Sequence, residues 1–163
     1  MSATIISFAT QKGGSGKTTL LMLTATALHN RTNKKVLVVD SDPQRSVKEI
    51  YKQEEEGKAE SDKKPYDVFA FNWYQPNPEV NFEKVLKLAE EKYDVILMDV
   101  PGNLRSKELF YSIMFSDIVV VPQALGQKLE FVAGEGPKLE GLSNKEDLKI
   151  LDINNIDQVL SPV

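Results

Sequence analysis

The chain contains no cysteine in its 163 residues. Disulfides, thiolate-held metals and cysteine-bound iron–sulfur clusters are therefore excluded. This agrees with a reducing, cytoplasmic setting. Histidine is almost absent too: His29 stands alone, near the end of the first expected helix, where a cation suits the dipole. No apolar run approaches the length of a membrane span, and no basic segment leads into an apolar run at the N-terminus, so neither a span nor a signal peptide is expected. Basic charge is also short. Twenty Lys and Arg face 24 Asp and Glu, for a net charge of −4, which gives no overall attraction to nucleic acid. What remains is a chain that is 41% hydrophobic and 27% charged, suited to a single globular domain over residues 1–163.

Short apolar runs alternate with helical patterns, which predicts a mostly parallel sheet built from βαβ units. Strands are expected at about 4–9, 35–40, 67–71, 93–99 and 117–121. Their near-continuous Val, Ile and Leu content suits strands covered on both faces. Helices are expected at about 17–30, 44–54, 81–92 and 105–115, the third capped by Asn81. The charged run at 54–64 reads as a mobile surface loop. Trp73 and Tyr74 read as packing over the sheet edge, with a partner site as the alternative. After Pro122, repeated glycines break the pattern, and residues 144–160 read as one last amphipathic helix.

The chemistry concentrates in Gln11-Lys-Gly-Gly-Ser-Gly-Lys-Thr-Thr19. A glycine-rich turn between a buried strand and a helix start presents bare backbone N–H groups and the positive end of a helix dipole. That combination cradles phosphates. Lys17 is placed to reach the terminal phosphates, and the Thr18 hydroxyl to bind Mg²⁺. The usual spacing G-x-x-x-x-G-K-[ST] is not met, because Gln11 holds the first glycine position and Lys12 follows it. Two further carboxylate clusters end strands: Asp40-Ser-Asp42-Pro-Gln after the second, and Asp99-Val-Pro-Gly102 after the fourth. Carboxylates at the C-terminal ends of parallel strands sit where ligands bind in open α/β sheets. They suit holding Mg²⁺ or orienting water.

Lys12-Gly13-Gly14-Ser15-Gly16-Lys17-Thr18-Thr19 resembles the deviant Walker A motif of the ParA/MinD ATPases, closest to ParA-type partition ATPases. The Asp40–Gln44 and Asp99–Gly102 segments resemble the two switch elements of that family, and Asp117 with Pro122 matches its later D-x-x-x-x-P strand. The resemblance covers about residues 3–122. It implies a three-layer P-loop NTPase fold that binds ATP and Mg²⁺. Residues 13–19 and Gly102 would hold the nucleotide. Lys17 would act on it in cis, and Lys12 on the partner subunit's nucleotide across an ATP-dependent homodimer. Asp42 would position the attacking water. Thr18, Asp40 and Asp99 would support the metal. A ParB-like adaptor protein would be the stimulating partner.

Residues 123–163 depart from that family's pattern. From 124 onward four lysines oppose seven acidic residues, a net of −3. Nonspecific DNA binding needs the opposite sign, and so does the basic membrane helix of the MinD branch. Three functions remain compatible with the motifs: a ParA-type ATPase switch in DNA partitioning, a metabolic P-loop enzyme, and a nucleotide-binding module without turnover.

Overall fold

The computed structural model describes residues 3–10, 16–59, 65–103 and 106–122, and the backbone of 149–151. Six strands form one sheet: β1 (Thr4–Phe8), β2 (Val36–Asp40), β3 (Tyr66–Ala70), β4 (Val95–Asp99), β5 (Ile118–Val120) and β6 (Lys149–Leu151). Their spatial order is β3-β2-β4-β1-β5-β6, and every adjacent pair is parallel. Among the described residues four helices link β1 to β5 in turn: α1 (Lys17–Thr32), α2 (Ser46–Glu55), α3 (Pro78–Glu90) and α4 (Lys107–Met114).

Alternate strand residues feed two cores. Ile6, Phe8, Val36, Val38, Val95 and Leu97 pack with Leu21, Met22, Ala25 and Leu28 of α1 and Val47 of α2. Ile5, Leu37, Val39, Ile96 and Met98 pack on the other face with Phe82 and Leu86 of α3 and Leu109 of α4. A parallel sheet covered by helices on both faces explains why β2 and β4 are buried at every position. The expected three-layer α/β architecture is therefore present.

The register aligns the functional ends. Phe8 and Asp40 each pair with Asp99, so the C-terminal tips of β1, β2 and β4 lie side by side. Asp117 ties β5 to β1: its Oδ2 accepts from the Ile5 amide at 2.8 Å, and its amide donates to the Ile5 carbonyl at 2.8 Å.

Several expectations are corrected. Lys149–Leu151, placed in an amphipathic helix, form a strand on the open edge of β5; backbone pairing of that edge outweighs helical spacing in a segment ending Ile-Leu. The rest of 144–160 lies outside the described residues. Helix α3 starts at Pro78 rather than at Asn81, because proline's fixed φ suits a first helical turn. Asn77 precedes it in left-handed conformation (φ 50°), and Asn81 Nδ2 donates to the Pro76 carbonyl at 2.9 Å. The charged run begins later than expected, since α2 continues to Glu55, whose carboxylate is buried against Lys58 at 3.0 Å. Residues 60–64 of that run lie outside the described residues.

Candidate nucleotide site

Gly16 precedes α1 with φ +76°, a conformation that side chains resist, and the Leu20 amide donates to its carbonyl at 2.8 Å. Gly16, at the N-cap, has no side chain to cap α1, and the helix N-terminus meets the space before it. That space is a cavity of about 710 Å³, lined by Gly16, Lys17, Thr18 and Thr19 from the start of α1. Asp42, Pro43, Gln44 and Ser46 line it from the β2–α2 connection. Pro101, Gly102, Asn103, Ser106 and Glu108 line it beyond β4, and Thr10 beyond β1. A cavity of this size is ample for a nucleotide.

Lys17 is the electrostatic centre. Its Nζ lies 2.8 Å from Asp99 Oδ1 and 3.8 Å from Asp42 Oδ2, and donates to the Val100 carbonyl. Thr18 Oγ1 donates to Asp99 Oδ2 at 3.0 Å. Asp99 is 1% exposed. Burial pushes its carboxyl above the usual range, and the charge and hydrogen bonds of Lys17 and Thr18 pull it back. Gly102 packs close: a Cβ there would meet the Thr10 carbonyl at 3.4 Å.

The structure thus brings Gly16, Lys17, Thr18, Thr19, Asp42, Asp99 and Gly102 to one place. Asp40 is not among them. It is fully buried, does not line the cavity, and its Oδ2 accepts from the Lys48 amide at 3.0 Å in the first turn of α2. The side chain expected to support a metal therefore caps a helix. Burial raises its pKa to about 6, opposed by the Lys48 amide and reinforced by Asp99. Lys12, Gly13, Gly14 and Ser15 lie outside the described residues.

The donor set fits Mg²⁺. Among the described residues no three carboxylate or histidine groups converge as a metal cage. Mg²⁺ at phosphates needs only one or two protein oxygens, because phosphates and water supply the others. The Thr18 hydroxyl and Asp99 carboxylate, 3.0 Å apart, are hard oxygen donors of that kind.

Glu108, Asn103 and Ser106 also line the cavity, although no motif in the sequence marks them. Their one signal is position, just beyond Gly102. Ser106 also caps α4, accepting from the Leu109 amide at 3.1 Å. Trp73, expected to pack over the sheet edge, is buried beyond the edge strand β3, 8% exposed. Its ring centroid lies 4.8 Å from those of Phe71 and Phe82, which are 4.9 Å from each other. Tyr74 is 83% exposed.

A parallel sheet with a glycine-led helix N-terminus, a lysine and two strand-end carboxylates at its C-terminal edge defines a P-loop-type nucleotide-binding domain. The CobQ/CobB/MinD/ParA nucleotide binding domain matches residues 6–161, and the chain belongs to that family. Among solved structures, a plasmid partition protein from Borrelia burgdorferi is similar over 93% of this chain and 78% of its own, with a TM-score of 0.65 at 23% identity. A structure of a plasmid partition protein from Borrelia burgdorferi B31 bound to AMPPNP is 25% identical over 74% of this chain and 61% of its own (TM-score 0.59). Cobyrinic acid a,c-diamide synthase from Mycobacterium smegmatis, with ADP and magnesium, is similar over 92% of this chain and 74% of its own (TM-score 0.66, 18% identity). A curated uroporphyrinogen decarboxylase from Roseobacter denitrificans is 45% identical over 53 residues, 32% of this chain. The chain spans only 15% of that relative's length. Among the described residues no helix is long and apolar enough to cross a membrane.

Proposed function

We propose that this chain is a Mg²⁺-dependent ATPase of the ParA type, a single domain whose nucleotide controls dimerisation in the partitioning of DNA. The observation that carries the proposal is the meeting of Lys17 with Asp42 and Asp99, and of Thr18 with Asp99, at the helix N-terminus where Lys17, Thr18 and Asp42 line the cavity. Family membership and the AMPPNP-bound partition protein support ATP as the ligand. The ADP and magnesium in the diamide synthase support the cation.

The resemblance to the family's motif, with the position of the described residues, supports the following roles. Residues 13–19 would wrap the phosphates with backbone N–H groups. The Lys17 ammonium exchanges its carboxylate contacts for the β- and γ-phosphate oxygens. Gly102 offers a backbone N–H to the γ-phosphate. Thr18 and Asp99 would hold Mg²⁺, which supplies charge neutralisation on the phosphates when bound. Asp42, at the cavity wall with its side chain 18% exposed, orients the water whose oxygen attacks the γ-phosphorus. The bond to the bridging oxygen breaks and ADP leaves. Lys12 reaches the partner subunit's nucleotide and holds the dimer closed.

The cargo would be plasmid, chromosome or mobile-element DNA, reached through a ParB-like adaptor that stimulates hydrolysis. A ParA bound to nonspecific DNA is among the similar folds, but the acidic residues after 123 oppose direct phosphate contact in this chain. The test is phosphate release from Mg-ATP. Asp42→Ala is expected to slow it by about 10²-fold or more while leaving nucleotide affinity intact. Equal turnover in the variant removes Asp42 from this role. No turnover by the unsubstituted protein leaves it a binding module.

A further inference from the structure

Ser41 separates the two aspartates of the β2 tip, and all of its polar groups are engaged. Its amide donates to the Asp99 carbonyl at 3.0 Å and its hydroxyl donates to the same oxygen at 2.8 Å. The hydroxyl also lies 3.2 Å from Ser112 Oγ on α4. Its carbonyl accepts from the indole Nε1 of Trp73 at 2.8 Å. That carbonyl belongs to the peptide plane joining Ser41 to Asp42. One residue earlier, the Asp40 carbonyl is held by the Phe71 amide at 2.9 Å. Beyond that plane the chain turns on itself: Asp42 Oδ1 accepts from the Gln44 amide at 2.9 Å and its carbonyl from the Arg45 amide at 2.9 Å.

We propose that Trp73 is a positioning residue for Asp42: its indole N–H fixes the peptide plane from which the Asp42 loop leaves the sheet. Packing alone does not call for tryptophan here, because the neighbours Phe71 and Phe82 fill the same layer with plain aromatic rings. Ser41 is fully buried, so without the indole its carbonyl would lack the donor it now has. The bond spans 32 residues of sequence and anchors the last peptide before the cavity wall. Trp73 touches no substrate. It acts through the Ser41–Asp42 peptide, and its effect on turnover rests on the ATPase reading above.

Trp73 is the sole tryptophan of the chain. Biosynthetic replacement of tryptophan by β-(3-benzothienyl)alanine therefore changes one site, exchanging the N–H for sulfur and keeping the ring shape. We expect the substituted protein to fold. Amide hydrogen exchange in residues 42–46 should accelerate at least about tenfold, while α1 and β4 keep their protection. The kcat for Mg-ATP should fall about tenfold with KM within about twofold, the pattern of lost positioning rather than lost binding. Trp73→Phe, which keeps a ring and removes the donor, should give the same split. Unchanged exchange in 42–46, or acceleration spread evenly over the sheet, overturns the proposal. Equal loss of kcat and affinity overturns it as well. If the unsubstituted protein does not turn over ATP, the ATPase reading fails, and the exchange measurement alone decides the role of Trp73.

Discussion

Replacing Asp40 by asparagine should remove a pH dependence that is built into the fold. Asp40 is fully buried, its Oδ2 accepts one backbone amide, and its Oδ1 closes no hydrogen bond of its own among the described residues. Burial lifts its pKa from 3.8 to about 6, held back by the Lys48 amide and reinforced by the Asp99 charge. The folded protein therefore binds the Asp40 proton more tightly than the unfolded chain does. By linkage, its contribution is neutral at low pH, and stability falls as pH rises from about 4 to about 6. A difference of about two pKa units corresponds to about 3 kcal/mol when the group is fully ionised. Between about pH 4.5 and pH 7.5 the change is about 2 kcal/mol, because the unfolded carboxyl is already mostly ionised at the lower value. The asparagine side chain would keep an oxygen for the Lys48 amide and carry no charge. It would forfeit about 0.3–1 kcal/mol of attraction between a carboxylate and a helix N-terminus. Urea unfolding followed by the fluorescence of buried Trp73, without added nucleotide or Mg²⁺, measures both proteins. The stability of Asp40→Asn relative to the parent should rise by about 2 kcal/mol from about pH 4.5 to about pH 7.5. Parallel curves for the two proteins would refute the reasoning, because Asp40 would then titrate alike in folded and unfolded chains.

Three other outcomes follow from particular contacts. Gly16→Ala meets no atom within 4 Å but must adopt φ +76°, so it should cost about 1–2 kcal/mol through backbone strain alone, read as a lower urea midpoint at constant slope. Leu21→Ala empties a fully buried position between α1 and the sheet and should cost about 2–5 kcal/mol in the same assay. Tyr93 donates to Asp67 Oδ2 at 2.7 Å, and burial followed by that contact raises its pKa to about 12. Ultraviolet titration should lose the absorbance of a phenol ionising near 12 in Tyr93→Phe. Stability should fall more steeply in the parent than in the variant as pH rises from about 10 to about 12.

The parts of the fold legible in sequence were those encoded by local repetition. β2 and β4 are unbroken apolar runs because both faces are covered, and such runs stand out without any partner being known. The start of α1 at Lys17, with Gly16 at φ +76° before it, was equally legible, since the signal lies in consecutive residues. Lys17, Thr18, Asp42, Asp99 and Gly102 were placed together because each sits at a strand end or helix start. The parallel register then brings those ends to one edge. What sequence did not reveal depends on contacts between distant segments. The turn of Asp40 toward α2 requires the Lys48 amide to come back over the β2 tip. The bond from Trp73 to Ser41 requires the chain beyond β3 to fold over the neighbouring strand. The start of α3 is a different case: Pro78 carried the signal, and the choice of Asn81 as cap gave weight to side-chain type over proline's fixed backbone.

Closure of two copies of this chain by ATP is read from light-scattering mass in saturating Mg-ATP and in saturating Mg-ADP, with Lys12→Ala beside the parent. An ATP-closed dimer gives twice the monomer mass of 18.3 kDa with Mg-ATP, the monomer mass with Mg-ADP, and a monomer under both conditions for the variant. A parent protein that binds both nucleotides yet keeps one mass in each would contradict it.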